Sequence, residues 1–260
     1  SVQQNRLPTA VACAMLHLQI HDFDALAKQE YQIQMSTTHP IAFAASTNPD
    51  ILYLHEAMKA PDREEFRKAM VKEVTNHESR KHWVMIPKSE VPAGTKILDS
   101  VWAMRRKRRI ESGEVYKWKA RLNVHGGQQQ EGVNYWRTDS PVVNWHTLRY
   151  YFVQSILHKW HTRQIDFVMA FPQADVECDI YMKVPKGFET EGEPKVLKLL
   201  KNLYCTNQSG RIFNKHLDTG LQSIGFKPSE IDPCAYLRGT TVFLVYVDDG
   251  IFLGPDKDDI

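Results

Sequence analysis

Cysteine is scarce in this chain. Four residues (Cys13, Cys178, Cys205, Cys234) are scattered over 260 positions, and no C-x-x-C pair occurs. That spacing argues against a structural zinc site or a disulfide framework and fits a reducing, intracellular compartment. Apolar runs of 18 residues are missing, so no membrane-spanning helix and no membrane partner is expected. The N-terminus lacks the basic-then-apolar layout of a secretory leader. Net charge is also small: 33 basic and 31 acidic residues leave +2, so electrostatic function must come from local charge. The chain starts with Ser1 and stops soon after a pair of aspartates, and it reads as cut from something longer. What remains is an ordinary globular composition, 42% hydrophobic and 25% charged, long enough to bury a sizeable core.

Residues 1–50 are weakly patterned. Val11–Ile20 suits a short helix, and residues 35–50 read as a linker of small and turn residues. A clear helix then opens at Pro61-Asp62, with Asp62 as N-cap and Glu65 completing a capping box. Phe66, Met70 and Val74 recur on one of its faces. Trp83–Ile86 is a strand ended by Pro87, and two strand runs, Ile97–Ile110 and Val115–Val124, flank a hairpin turn at residues 111–114. Asn144 is a candidate cap for a second helix burying Leu148, Tyr151, Phe152, Ser155 and Ile156. Gln164–Met169 is a strand. A third helix covers Ser209–Ile224, with Phe213, Leu217, Leu221 and Ile224 on one side and Gly225 ending it. Strands Cys234–Leu237 and Thr241–Val247 follow, joined by Arg238-Gly239-Thr240. Regular strand–helix alternation is absent, which predicts an α+β fold.

Two features carry chemistry. Arg105–Arg109 is an unbroken basic block, and Lys117, Lys119 and Arg121 alternate along the opposing strand, so the latter three share a sheet face. A two-residue turn at Ser112-Gly113 adds Arg106 and Arg108 to that face, whereas a bulge adds Arg105 and Lys107 instead. Either register gives a cationic surface suited to phosphates, though a solvated hairpin or an import signal would look the same. Trp102 and Trp118 among these charges either pack the hairpin or stack on bases, and packing is the preferred reading. The second feature is acidic. Asp248-Asp249 ends the apolar run Val242–Val247, and Asp166 interrupts the strand Gln164-Ile165-Asp166-Phe167. Carboxylates at the turn of a buried hairpin are costly unless paired or bound to metal. Three acids converging from strands suit two magnesium ions, roughly 4 Å apart, in a phosphoryl-transfer site.

From about Trp83 onward the sequence resembles the reverse transcriptase domain of copia-type retrotransposon polyproteins. The resemblance rests on Lys119-Ala120-Arg121-Leu122, Ser140-Pro141-Val142-Val143, Gln164-Ile165-Asp166 with Ala170-Phe171, and Ile180-Tyr181-Met182 with Pro185-x-Gly187-Phe188. Leu203-Tyr204, Gln208, Ile224-Gly225-Phe226 and Tyr246-Val247-Asp248-Asp249 follow in family order. Cys205, Asn207, Asp139 and Phe213 depart from the residues usual in that family and suggest a divergent copy.

The resemblance implies an RNA-directed DNA polymerase with fingers and palm subdomains, an antiparallel palm sheet and no thumb. Residues 1–50 are then a spacer of the parent polyprotein. Fingers fall at about 51–160 and 172–208, and palm at about 161–171 and 209–260. Asp166, Asp248 and Asp249 are implied as catalytic acids and ligands of two Mg2+ ions, with Mn2+ as an alternative. Phe171 resembles the gate that excludes a ribose 2′-hydroxyl, and Gln208 a glutamine lining the incoming nucleotide. Arg105, Lys107, Lys119 and Arg121 are implied as triphosphate ligands. Implied partners are an RNA or DNA template-primer, deoxynucleotides, and the integrase and ribonuclease H regions of the polyprotein. The implied setting is a cytoplasmic virus-like particle with nuclear delivery. The competing reading is a catalytically inactive remnant that only binds nucleic acid.

Overall fold

A computed structural model describes residues 48–260. The helix expected at Val11–Ile20 and nearly all of the linker expected at residues 35–50 lie outside the described residues. Contacts divide the chain into Ser1–Ile51 and Leu52–Ile260, and the account below concerns the second unit. In chain order its main elements are α1 (Arg63–Ser79), β1 (Trp83–Pro87), β2 (Ile97–Leu98), β3 (Ser100–Arg108) and β4 (Val115–Val124). Next come α2 (Trp145–Leu157), β5 (His161–Asp166), β6 (Tyr181–Lys183), β7 (Lys195–Leu199) and α3 (Ser209–Ser223). The chain closes with β8 (Lys227–Pro228), β9 (Ala235–Arg238), β10 (Thr241–Tyr246) and β11 (Asp249–Gly254). Helices and sheets are mixed, as the irregular element order predicts. No helix among the described residues is long and apolar enough to cross a membrane.

The β3–β4 ribbon takes the bulged register. The pairing shifts between Lys107 and Arg108, which sets Arg105 opposite Lys119 and Lys107 opposite Lys117. Period two then sends Trp102, Met104, Ala120 and Leu122 to the other face, where they meet Phe66, Met70 and Val74 of α1 in the first hydrophobic cluster. Each of the fully buried large side chains there contributes about 1.5–3 kcal/mol. Arg106 and Trp118, opposite one another, also turn to this inner face. The expected capping box does not form. Asp62 stands at the N-cap of α1 without a side-chain bond to the helix, and its carboxylate instead accepts from Arg106 and Trp118. Glu65 pairs with Lys68. A guanidinium and an indole N–H outcompete a backbone amide for a partly buried carboxylate.

A four-stranded sheet in the order β1-β7-β6-β2 completes this cluster through Met182, Leu197 and Leu199. The second cluster lies on a five-stranded antiparallel sheet in the order β5-β11-β10-β9-β8. Phe213, Leu217 and Leu221 of α3 recur every fourth residue and bury against Val242, Leu244 and Leu253. Gly225 ends α3 at φ +89. There Phe226 N donates to Leu221 O and Gly225 N to Gln222 O, the paired bonds of a Schellman cap. Asn144 caps α2 as expected, its Oδ1 accepting from His146 N at 2.9 Å. Leu148, Tyr151 and Phe152 then pack on the sheet and Ser155 is buried. Two expected core residues are corrected. Ile156 is 67% exposed and Ile224 58% exposed, and both sit at the C-terminal ends of their helices.

Candidate active site

The order of β5, β11 and β10 decides where the acids go. β11 pairs with β5 so that Asp249 lies directly opposite Asp166, and with β10 so that Asp249 lies opposite Tyr246. Opposed residues on neighbouring antiparallel strands sit roughly 4.5–5.5 Å apart at Cα. Asp248 occupies the intervening two-residue turn with Val247. Its carbonyl accepts from Phe167 N at 3.0 Å, which ties the turn to the end of β5. Residues some eighty positions apart are thereby brought to one spot, as the sequence predicts for this trio.

Local strain marks this turn. Val247 sits at φ +58, in the left-handed region that a β-branched residue strongly disfavours. Asp248 is not in that region, so the turn has the sign pattern of type II′, with valine where glycine is usual. Conformations of this kind cost about 1–3 kcal/mol and persist only where packing imposes them. The packing is visible at Gly250. A Cβ there would meet the Phe243 ring at 2.5 Å and Ile165 at 3.1 Å. Phe243 is fully buried and stacks on Phe252 at 4.1 Å, so it has nowhere to retreat.

The acids repel one another. Burial first, and then the charges of Asp248 and Asp166, push the Asp249 carboxyl above the usual carboxylate range. Among the described residues no three acidic, histidine or cysteine side chains are gathered closely enough to hold a metal ion as they stand. The trio nevertheless suits a hard divalent cation. All its donors are carboxylate oxygens, they issue from adjacent backbone positions, and their mutual repulsion is what a cation relieves.

Phe171 follows β5 in a single 3-10 turn (Phe171–Gln173). It is half-buried, edge-on to Tyr204 at 5.4 Å and to Phe213 at 6.1 Å. On the ribbon, Arg105, Lys107, Lys117, Lys119 and Arg121 share the outer face. None of these five makes an ion pair among the described residues. Burial, followed by Arg121 and Lys107, depresses the Lys119 ammonium. Arg121 lies with its guanidinium carbon 4.1 Å from the centre of the Tyr204 ring. Arg106 is sequestered on the inner face against Asp62 and over Phe66.

Gln208 is placed differently from the other candidates. It is 2% exposed at the N-cap of α3, accepts from Gln129 Nε2 at 3.0 Å and donates to the Asn134 carbonyl at 3.4 Å. Gln129 in turn accepts from Asn207 N at 2.7 Å. These amides brace the start of α3 against the loop after β4, and the glutamine does not face an open site. Tyr204, which the sequence does not mark as a candidate, lies between Arg121 and Phe171. Its only signal was an aromatic beside Leu203 in a recognised motif, with nothing to say which way the ring points.

Comparison with known proteins identifies the family of the chain. The profile of the family described as "Reverse transcriptase (RNA-dependent DNA polymerase)" matches residues 81–260. The retrovirus-related Pol polyprotein from transposon TNT 1-94 of Nicotiana tabacum is 30% identical over 210 residues, covering 78% of this chain and 16% of its own length. The corresponding polyprotein from transposon RE1 of Arabidopsis thaliana is 31% identical over 221 residues, 83% of this chain and 14% of its own length. Transposon RE2 of the same plant gives 29% over 224 residues, 84% and 15%. The chain thus spans about a sixth of the length of the curated relatives it matches. With more than half of its length matched, the chain belongs to the reverse transcriptase (RNA-dependent DNA polymerase) family, of the kind carried by copia-type retrotransposon Pol polyproteins.

Proposed function

We propose that this chain is the catalytic core of an RNA-directed DNA polymerase, adding deoxynucleotides to a primer 3′-hydroxyl on an RNA or DNA template. The observation that carries the reading is the register of β5, β10 and β11, which sets Asp166, Asp248 and Asp249 side by side. These three would hold two Mg2+ ions, or Mn2+. When bound, the ions favour the 3′-alkoxide and offset charge on the departing pyrophosphate. The chain's own residues supply the rest. The outer face of the ribbon binds the triphosphate with cations that make no ion pair among the described residues, and Phe171 limits the space beside the sugar 2′ position.

In this reading the palm is the five-stranded sheet with α3, and the fingers are α1, the ribbon and the four-stranded sheet. Val143 and α2 pack in the cluster of the five-stranded sheet, which supports counting them with the palm. Template-primer, deoxynucleotides and the other regions of a Pol polyprotein are the partners, in an intracellular particle. A remnant that only binds nucleic acid would need the cationic ribbon alone, and the placement of the acids favours the enzyme over it.

Primer extension on an RNA template with Mg2+ and the four deoxynucleotides tests the proposal. Extension by the chain, abolished in Asp248→Asn, is the expected result. Equal extension by both proteins, or by neither, would overturn it.

A further inference from the structure

Tyr204 joins the ribbon to the five-stranded sheet. On the ribbon side its carbonyl accepts from Val124 N at 3.0 Å, and Asn123 forms a bridge with it. The Arg121 guanidinium lies over its ring at 4.1 Å. On the sheet side the ring meets Phe171 edge-to-face at 5.4 Å with an interplanar angle of 68°. Burial first of all pushes the Tyr204 phenol above its ordinary value; Arg121 opposes this, while Glu73, Asp248 and Asp166 reinforce it. Phe171 stands in the turn that follows β5, the strand ending at Asp166, so the Tyr204 ring is tied to the acidic end of the sheet. It is half-buried and keeps surface to offer, whereas Gln208 is enclosed.

The chemistry of this corner is specific. Two aromatic rings meet at a steep angle, and a guanidinium lies over one of them. Arg121 makes no ion pair among the described residues, so its edge N–H groups remain to donate to an anion. An apolar corner capped by such donors fits a sugar that carries a polyphosphate. A 2′-hydroxyl pressed against ring carbon would lose its water without gaining a partner, which disfavours ribose over deoxyribose.

The geometry points to Tyr204 as a specificity-determining residue of the nucleotide site, forming with Phe171 the aromatic corner that receives the deoxyribose, under a guanidinium that takes the phosphates. The inference rests on the polymerase reading and extends it, because it gives sugar selection to a pair of rings and links the pair to the ribbon through Arg121.

Binding rather than turnover provides the test. The whole chain is loaded with a template-primer ended by a dideoxynucleotide, with cytosine as the next template base, and titrated with dGTP or GTP in Mg2+ by thermal shift. Wild type is expected to bind dGTP in preference. Tyr204→Leu, which keeps bulk but removes the ring, should bind dGTP roughly ten-fold more weakly and lose most of the preference, the loss expected of one aromatic wall. Tyr204→Phe should keep the preference. A leucine variant with the wild-type dGTP-to-GTP ratio, or a phenylalanine variant as impaired as the leucine one, overturns the inference. Should Tyr204→Leu fail to fold, Tyr204→Val carries the same expectations. A wild-type chain that binds neither nucleotide removes the polymerase reading and this inference together. Discrimination retained by wild type and leucine variant alike removes only the inference.

Discussion

Removing the Asp62 carboxylate should loosen the ribbon from α1. Asp62 accepts from Arg106 Nε and Nη2, both at 2.7 Å, and from Trp118 Nε1 at 2.6 Å. The two charged side chains are 23% and 14% exposed, so the pair is mostly withdrawn from water. Breaking a fully buried pair costs about 3–5 kcal/mol, largely for the charge left behind. Partial exposure lowers this, and Asp62→Ala is expected to cost about 2–3 kcal/mol. Arg106→Met should cost less, because a lone carboxylate at a helix N-terminus can turn to solvent and meets a favourable dipole. The double variant should therefore be more stable than the two single losses added together, by about 1–2 kcal/mol. Arg106 also holds the Asp62 carboxyl well below the usual carboxylate range. This contribution is thus complete above about pH 4, where the unfolded carboxyl is ionised, and it is lost progressively as the pH falls below that. Urea unfolding followed by circular dichroism on the four proteins, at pH 7 and at a series of lower pH values, gives all these quantities. Strict additivity, or a loss below about 0.5 kcal/mol for Asp62→Ala, would refute the reasoning.

Two further perturbations follow from buried groups. His82 is 4% exposed, its Nδ1 lies 2.8 Å from Nδ1 of His77, and burial, with the His77 charge next, holds its pKa down to about 4. Protonation therefore favours the unfolded chain, whose histidine titrates near 6.5. Stability should be full above that pH and fall by roughly 3 kcal/mol between pH 6.5 and 4, and His82→Gln should flatten this part of the urea-unfolding profile. An unchanged slope in that variant would reject the assignment. Gly250→Ala should force the Phe243 ring aside, costing about 1–3 kcal/mol and lowering the melting temperature by about 5 °C. An alanine protein melting with wild type would mean that the ring yields freely.

Much of this architecture is legible in the sequence where periodicity is strong. Phe66, Met70 and Val74 mark the inner face of α1, Gly225 marks the end of α3, and alternation along Val115–Val124 marks the ribbon. The convergence of Asp166 with Asp248-Asp249 is also legible, since Asp248-Asp249 ends an apolar run of strand length and Asp166 interrupts a second strand-like segment. Two registers were open for the ribbon, and the bulge between Lys107 and Arg108 is selected by packing that no local signal reports. The four-stranded sheet is hidden for a similar reason. Its strands are two to five residues long, and Trp83 pairs with Leu199 across more than a hundred positions. Asp62 satisfies the letter of a capping box, yet a guanidinium 44 residues away claims its carboxylate. Gln208 and Tyr204 show the same limit. A motif supplies residue types in order, but the burial of one and the half-burial of the other are set by Gln129, Asn134, Arg121 and Phe171, which reach them only in the folded chain.

The central claim is that Asp166, Asp248 and Asp249 make one divalent-ion site. Electron paramagnetic resonance titration of Mn2+ tests it most directly, using the chain on a dideoxy-ended template-primer with the next deoxynucleotide present. Two tightly bound ions per chain are predicted, with at least one lost in Asp166→Asn and in Asp248→Asn. Equal Mn2+ binding by wild type and both variants would contradict the account.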